Sequence, residues 1–212
     1  MNRTIFLIDG FNLYHSLVDI RTFLRGTSTK WLNIHSLCSS YLPLIDRSAR
    51  LSDIYYFSSL ATHLQHRSPN KIINHKKYIK CIKSFGVNVE LGRFKKKFIR
   101  CPKCQNNITK HEEKETDVAI ATKLLELSFF DKYDTAVLVT GDTDLAPAVR
   151  SIQSSFNNKK VIFAFPYNRK NDELAALAPG SFSIGCNNCV KHQLPNPVVL
   201  QGGIEIFKPS SW

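Results

Sequence analysis

Four aspartates carry the chemistry this sequence offers. Asp9 follows the apolar run Thr4-Ile-Phe-Leu-Ile8, and Asp142 and Asp144 close the run Val137-Leu-Val-Thr-Gly-Asp-Thr-Asp144. Asp117 heads the apolar stripe of a helical segment. Carboxylates at the ends of buried strands are costly unless something offsets them, and a divalent cation is the simplest compensation. With no His or Cys among the four, the donors select a hard ion, Mg2+ or Mn2+. One or two such ions would activate water and hold a phosphodiester for in-line hydrolysis. Each acid also has a plainer role. Asp9 before Gly10 can shape a turn, Asp117 can favour a helix N-terminus, and Asp142 or Asp144 can cap the helix that follows. The sharper expectation is that all four meet, with Asn12, Lys114, Thr140 and Thr143 beside them as partners for a phosphate.

The elements that must position these residues follow from periodicity. Apolar runs at 4–8, 53–57, 87–91, 135–140 and 160–165 read as strands, with a candidate sixth at 182–184. Helical spacing covers 11–20, a segment capped by Asn33 (Ile34, Leu37, Tyr41, Leu44), 115–127 (Asp117, Ile120, Ala121, Leu124) and 172–177. Ser68-Pro69 opens another helix, with Ile72, Ile79 and Ile82 inward and Lys76, Lys80 and Lys83 on a separate face. The segment 145–154 is helical only if Pro147 lies in its first turn. Strands alternating with helices imply a three-layer α/β/α sandwich around a mostly parallel sheet. Ligands of such sheets bind beyond the carboxyl ends of the strands, where the strand order reverses. If the first and fourth strands are neighbours, Asp9, Asp142 and Asp144 meet there. The expected organisation is one domain over 1–189, carrying a small basic, Cys-containing insertion at about 93–112. An extended tail, 190–212, would pack on the domain or on a partner subunit.

The net charge of +12 is concentrated. Residues 61–111 hold 13 Lys or Arg against one acid, Glu90, while the remainder holds 16 of each sign. A solvated surface is the plain explanation; a polyanion-binding face is the functional one. Lys76, Lys80, Lys83, Arg93, Lys95, Lys96, Lys97 and Arg100 would hold a nucleic-acid backbone, RNA in a single strand rather than a duplex, with DNA also open. Phe94 and Phe98 lie among them, either packed on the sheet or, for Phe98, stacked on a base. No targeting segment and no apolar stretch near ~20 residues occurs, so a cytoplasmic protein without membrane contact is expected.

Cysteines in such a compartment are thiols or metal ligands. Cys101-Pro-Lys-Cys104 and Cys186-Asn-Asn-Cys189 both have the two-residue gap of a zinc knuckle. A structural Zn2+ shared by the four needs the pairs to meet, although they follow strands near opposite sheet edges. They could meet through the insertion or tail, or across a homodimer, and His111 is an alternative ligand for the first pair. Cys38 and Cys81 read as small core hydrophobes.

Three segments resemble the motifs of the NYN domain family: Ile8-Asp-Gly-Phe-Asn-Leu13, Glu113-Lys-Glu-Thr-Asp-Val-Ala-Ile-Ala121 and Val139-Thr-Gly-Asp-Thr-Asp-Leu145. The likeness is greatest to its bacterial LabA-like (DUF88) branch, and takes in Phe163-Ala-Phe-Pro166, His192-Gln-Leu-Pro195 and the closing Lys208-Pro209 with Trp212. The resemblance implies a PIN-like nuclease fold with strand order 3-2-1-4-5 and metal-dependent cleavage of RNA, with endonuclease action expected. It also implies that Asp9, Asp117, Asp142 and Asp144 hold the metal with Asn12 in support. Glu115 departs from the pattern, standing where many relatives carry a small residue; it is either a fifth carboxylate or a surface residue. The alternative is a non-catalytic nucleic-acid-binding or regulatory NYN protein. A haloacid-dehalogenase-like phosphatase wants a second Asp two residues after the first, where this chain has Phe11, and a nucleotide-cofactor enzyme wants a glycine-rich phosphate loop that is missing.

Overall fold

The structure, a computed structural model, describes residues 1–100, 103 and 105–212, with backbone alone at 108, 110, 112 and 113. In chain order the elements are β1 (Asn2–Asp9), α1 (Gly10–Phe23), α2 (Ile34–Ile45), β2 (Ala49–Ser59), α3 (Pro69–Ser84), β3 (Val87–Arg100) and β4 (Asn107–Lys114). They continue with α4 (Thr116–Phe129), β5 (Thr135–Val139), α5 (Ala146–Ser155), β6 (Lys160–Phe165), α6 (Asp172–Leu177), β7 (Phe182–Ser183), α7 (Cys186–Lys191), β8 (Val198–Val199) and β9 (Glu205–Ile206).

Six strands form the central parallel sheet, ordered β3-β2-β1-β5-β6-β7, which is 3-2-1-4-5-6 when the parallel strands alone are counted. The short sixth strand at 182–183 is therefore present. The sheet is covered on both faces because its strands are apolar on both sides. In β1, Ile5 and Leu7 enter the core with Ile120, Leu124 and Val149 of α4 and α5. Phe6 and Ile8 point the other way, into the core with Leu13, Leu37 and Ile82 of α1, α2 and α3. Period-two alternation thus feeds two cores from one strand.

The main departure from the sequence reading is the basic insertion. β3 does not stop near Leu91. Its first half, to Gly92, pairs parallel with β2, and its second half, Arg93–Arg100, pairs antiparallel with β4. Because β3 runs on where β2 ends, this hairpin projects past the carboxyl edge of the sheet. Lysine-rich edges of this kind resist unwanted strand pairing. Cys101 and Cys104 lie outside the described residues.

The end of the chain lies against the domain. Cys186–Cys189 sits on α7, Leu194 and Val198 are buried, and Trp212 meets Trp31 and Tyr78 with ring centroids 6.1 and 5.6 Å apart. Apolar residues spaced through 190–212 close the α1–α3 side of the core.

Candidate active site

β1 and β5 are neighbours, with Ile8 in register with Val139. Their carboxyl ends therefore place Asp9 beside the Thr140–Asp144 turn, at the point where the strand order reverses. Asp9 is buried, and its Oδ1 accepts the N–H groups of Phe11 and Asn12 at 3.0 and 2.9 Å, capping α1. Its Oδ2 accepts the Thr140 hydroxyl at 3.1 Å. Gly10 is required here because a Cβ would stand 2.5 Å from the Phe57 carbonyl oxygen.

Thr140 is buried, and its hydroxyl oxygen also accepts the Asp142 N–H at 3.1 Å. This corrects the expectation that Thr140 contacts nucleic acid: no surface of it is left to do so, and it ties Asp9 to the Asp142 turn instead. Asp142 Oδ1 accepts the Asp144 N–H at 3.0 Å, and Asn12 Oδ1 accepts the Gly141 N–H at 3.3 Å. The plain turn and capping roles are thus fulfilled by the same residues that form the site.

Carboxylate oxygens of Asp117, Asp142 and Asp144 lie within 4.8 Å of one another. Asp9 stands outside that triad; its oxygens accept from α1 and Thr140, and it lines an open cleft of about 230 Å³ together with Asp117 and Asp142. Burial pushes the Asp9 carboxyl above its ordinary range, partly offset by its hydrogen bonds, with Asp142 adding repulsion. Burial also raises Asp117, together with the charges of Asp142, Asp9 and Asp144, to about 6. Three hard oxygen donors that repel one another in a half-buried site fit a divalent cation.

Other expected residues are placed unequally. Asn12 lines the cleft; Thr143 and Lys114 are exposed at its margin, at the start of the Asp142 turn's helix and the end of β4. Glu115 is not a fifth carboxylate of the triad: its Oε1 accepts from Arg93 Nη2 at 2.6 Å and Nε at 2.8 Å. Arg93 therefore arrives with an acidic partner. Lys95, Lys96, Lys97 and Arg100 are exposed on the hairpin. Phe94 is anchored against Phe11 and His63, whereas Phe98 is 67% exposed with Lys96 Nζ 4.8 Å from its ring centre. Lys76, Lys80 and Lys83 are exposed on α3, which runs from the site's end of the sheet back toward the other, so Lys80 and Lys83 stand away from the acids.

Cys189 is fully buried in the core, and burial pushes its thiol up to about 12, which disfavours the thiolate a zinc ion needs. Cys38 and Cys81 are core residues, as their sequence setting predicts. Two cleft residues had no signal as motifs: His15, one turn after Asn12, and Arg169, in the turn after β6. His15 was findable from its i+3 spacing to Asn12; Arg169 reaches the cleft only through the fold.

An acid-lined cleft at the switch point of a parallel sheet, flanked by a basic hairpin, defines a domain of the nuclease-like α/β class. The NYN domain profile matches residues 3–184, and the chain belongs to this family, whose members are usually nucleases. A curated relative is 28% identical over 242 aligned positions, covering 99% of this chain and 75% of its own length: 6-hydroxy-3-succinoylpyridine 3-monooxygenase HspA of Pseudomonas putida (strain DSM 28022 / S16). A solved structure, a protein of unknown function (VPA0982) from Vibrio parahaemolyticus RIMD 2210633, shares the fold at a TM-score of 0.51 and 18% identity, covering 87% of this chain and 93% of that one. Among the described residues no helix is long and apolar enough to cross a membrane.

Proposed function

We propose that this chain is a divalent-metal-dependent ribonuclease acting on single-stranded RNA, most simply as an endonuclease. The observation that carries the reading is the triad Asp117, Asp142 and Asp144, gathered within 4.8 Å at the carboxyl edge of the sheet. A Mg2+ or Mn2+ held by these three would supply Lewis-acid activation of water and charge neutralisation at the phosphate. The protein's own contribution is preorganisation. Asp9 and Thr140 fix the Asp142 turn against β1, and Asn12 clamps Gly141. Asp117 carries a carboxyl that releases its proton near pH 6, so it is ionised at neutral pH. Thr143 and Lys114 are exposed next to the acids in sequence, and Lys95, Lys96, Lys97 and Arg100 are exposed along the hairpin beyond the sheet edge; these cations and the hydroxyl would hold the phosphate backbone. The open cleft leaves room for a chain to enter and continue, which suits internal cleavage.

The test is incubation of labelled RNA and DNA with Mn2+ or Mg2+, using Asp142→Asn as control. Cleavage by the wild type, with a loss of at least about 100-fold in the variant, supports the reading. Equal cleavage by both means contamination. Binding without cleavage under all metals would favour a regulatory nucleic-acid-binding role.

The Pseudomonas relative favours one further reading, hydroxylation of a pyridine compound. A monooxygenase needs O2 as well as two electrons from a reductant, which reduce the second oxygen atom to water, and the sequence lacks the glycine-rich dinucleotide fingerprint. Oxidation of NADH coupled to loss of 6-hydroxy-3-succinoylpyridine would establish it in place of hydrolysis. The structural Zn2+ expected from the two cysteine pairs is tested separately by metal analysis of the purified chain, where zinc well below stoichiometry ends that expectation.

A further inference from the structure

We propose that Arg169 and His15 form an anion subsite that takes a backbone phosphate of the RNA strand on the side of the acids opposite the basic hairpin. The inference rests on the nuclease reading and adds to it a direction and a footprint for the strand.

Both residues line the cleft that Asp9, Asp117 and Asp142 line. Arg169 lies in the turn after β6, where its N–H donates to the Pro166 carbonyl at 2.9 Å. That turn is docked on the acidic one. A Cβ on residue 141 would come within 2.0 Å of the Arg169 carbonyl oxygen, so only glycine permits the contact. The position of the Arg169 backbone is therefore tied to the turn that presents Asp142.

The side chain is aimed as well. Arg169 Nη2 lies 2.8 Å from Asp19 Oδ2, and Nη1 donates to the Asn168 carbonyl at 3.1 Å. A guanidinium carries five N–H donors in a fixed fork, so these two partners do not exhaust it. Asn12, His15 and Asp19 follow i, i+3, i+7 spacing on α1 and share one face of that helix. Asn12 and His15 face the cleft, and Asp19 steadies Arg169 at its rim. The Arg169–Asp19 pair is about one-third exposed on both sides, a setting in which an ion pair adds little stability. Its geometry instead presents a planar cation to an otherwise acidic cleft, and planar cations recognise phosphate.

The sheet supplies the spacing. The hairpin leaves β3, the acids follow β1 and β5, and Arg169 follows β6, in the order β3-β2-β1-β5-β6. At about 4.8 Å per strand, four steps separate the two cationic flanks by roughly 19 Å, a span of a few nucleotides. A strand laid along the carboxyl edge passes from hairpin lysines, over the acids, to Arg169 and His15. Short RNAs depend on the near subsite, whereas long RNAs are held by the hairpin too.

The experiment measures binding and cleavage of a single-stranded RNA tetranucleotide and of a long single-stranded RNA. Binding is measured in the Asp142→Asn background, where the strand stays intact, and cleavage in the wild-type background with Mn2+. Arg169→Ala is expected to weaken tetranucleotide binding by about 10- to 100-fold, the loss of a charge-assisted contact. In cleavage it raises KM and leaves kcat within about twofold, as loss of uniform binding requires. Long-RNA binding changes by less than about threefold, because the hairpin retains the backbone contacts. Arg169→Gln, which keeps the length without the charge, behaves as the alanine variant does, and Arg169→Lys recovers part of the loss. Thermal midpoints of all variants are compared, so a folding defect in one leaves the other two to decide. Unchanged tetranucleotide binding by folded Arg169→Ala or Arg169→Gln overturns the subsite, as does an Asp142→Asn protein with Arg169 intact that binds no tetranucleotide. A failed nuclease reading looks different: tetranucleotide binding depends on Arg169, but no metal-dependent cleavage sensitive to Asp142→Asn is seen.

Discussion

Asp117 sits where two demands conflict: its helix needs it near an apolar face, and the cleft needs it charged beside three other acids. Its carboxyl is raised to about 6, by burial first and then by Asp142, Asp9 and Asp144. An unfolded Asp titrates near ~3.9. The folded, metal-free protein therefore holds this proton to higher pH than the unfolded chain does. The stability gained from it is fully present below about pH 4 and lost as pH rises through about 6. Asp9 shifts in the same direction, while Asp134, held down to about 2 by Arg3, shifts in the opposite one. The difference between wild type and Asp117→Asn isolates the effect. In the presence of a chelator, the variant should gain on the wild type between about pH 4 and pH 7, by about 1 kcal/mol once the full shift is reduced for a half-exposed group. Denaturant unfolding across that range checks it, and a difference independent of pH would refute the assignment. Adding Mn2+ should stabilise the wild type above pH 6 and leave the variant nearly unmoved, since a ligand stabilises only the state that binds it.

At the scale of elements, the site is a junction of turns and not a list of acids. Thr140 is the hinge pin, donating to Asp9 and accepting from Asp142 in a buried position. Thr140→Val keeps the shape and removes both bonds. We expect it to cost about 1–3 kcal/mol, because Asp9 Oδ2 and the Asp142 N–H lose their partner away from water. Denaturant unfolding measures this, and a loss below about 0.5 kcal/mol would show that water replaces the hydroxyl. The strands that build the junction were legible in the sequence because they are apolar runs that stop at Asp9 and Gly141. The β3–β4 hairpin was not. Lysine at 95, 96 and 97 masks its period of two, and its strand character comes from pairing with β4 instead of from burial. Arg169 was invisible for a related reason: a cation in the short Tyr167-Asn-Arg-Lys170 turn belongs to no periodic pattern, and only its contact with Gly141 gives it a place.

For the molecule as a whole, the excess charge matters through where the fold puts it. Apart from Arg67, the cations of residues 61–111 divide between α3, which runs away from the acids, and the hairpin segment, which projects past the sheet edge. If the hairpin holds RNA, the two groups of lysines contribute differently to salt dependence. Each phosphate contact on a single strand adds about 0.7 to the slope of log K against log salt. Lys95→Ala, Lys96→Ala and Lys97→Ala together should therefore reduce that slope by about 2 in single-stranded RNA binding. The matching triple change at Lys76, Lys80 and Lys83 removes the same net charge from α3. It should weaken binding slightly through the long-range field and leave the slope within about 0.5 of the wild-type value. Fluorescence titrations over a salt series decide between a local and a diffuse effect. Equal slopes for the two triple variants would mean that the protein attracts RNA by total charge alone. The hairpin would then be a solubilising edge, and strand placement over Asp117, Asp142 and Asp144 would have to come from the cleft itself.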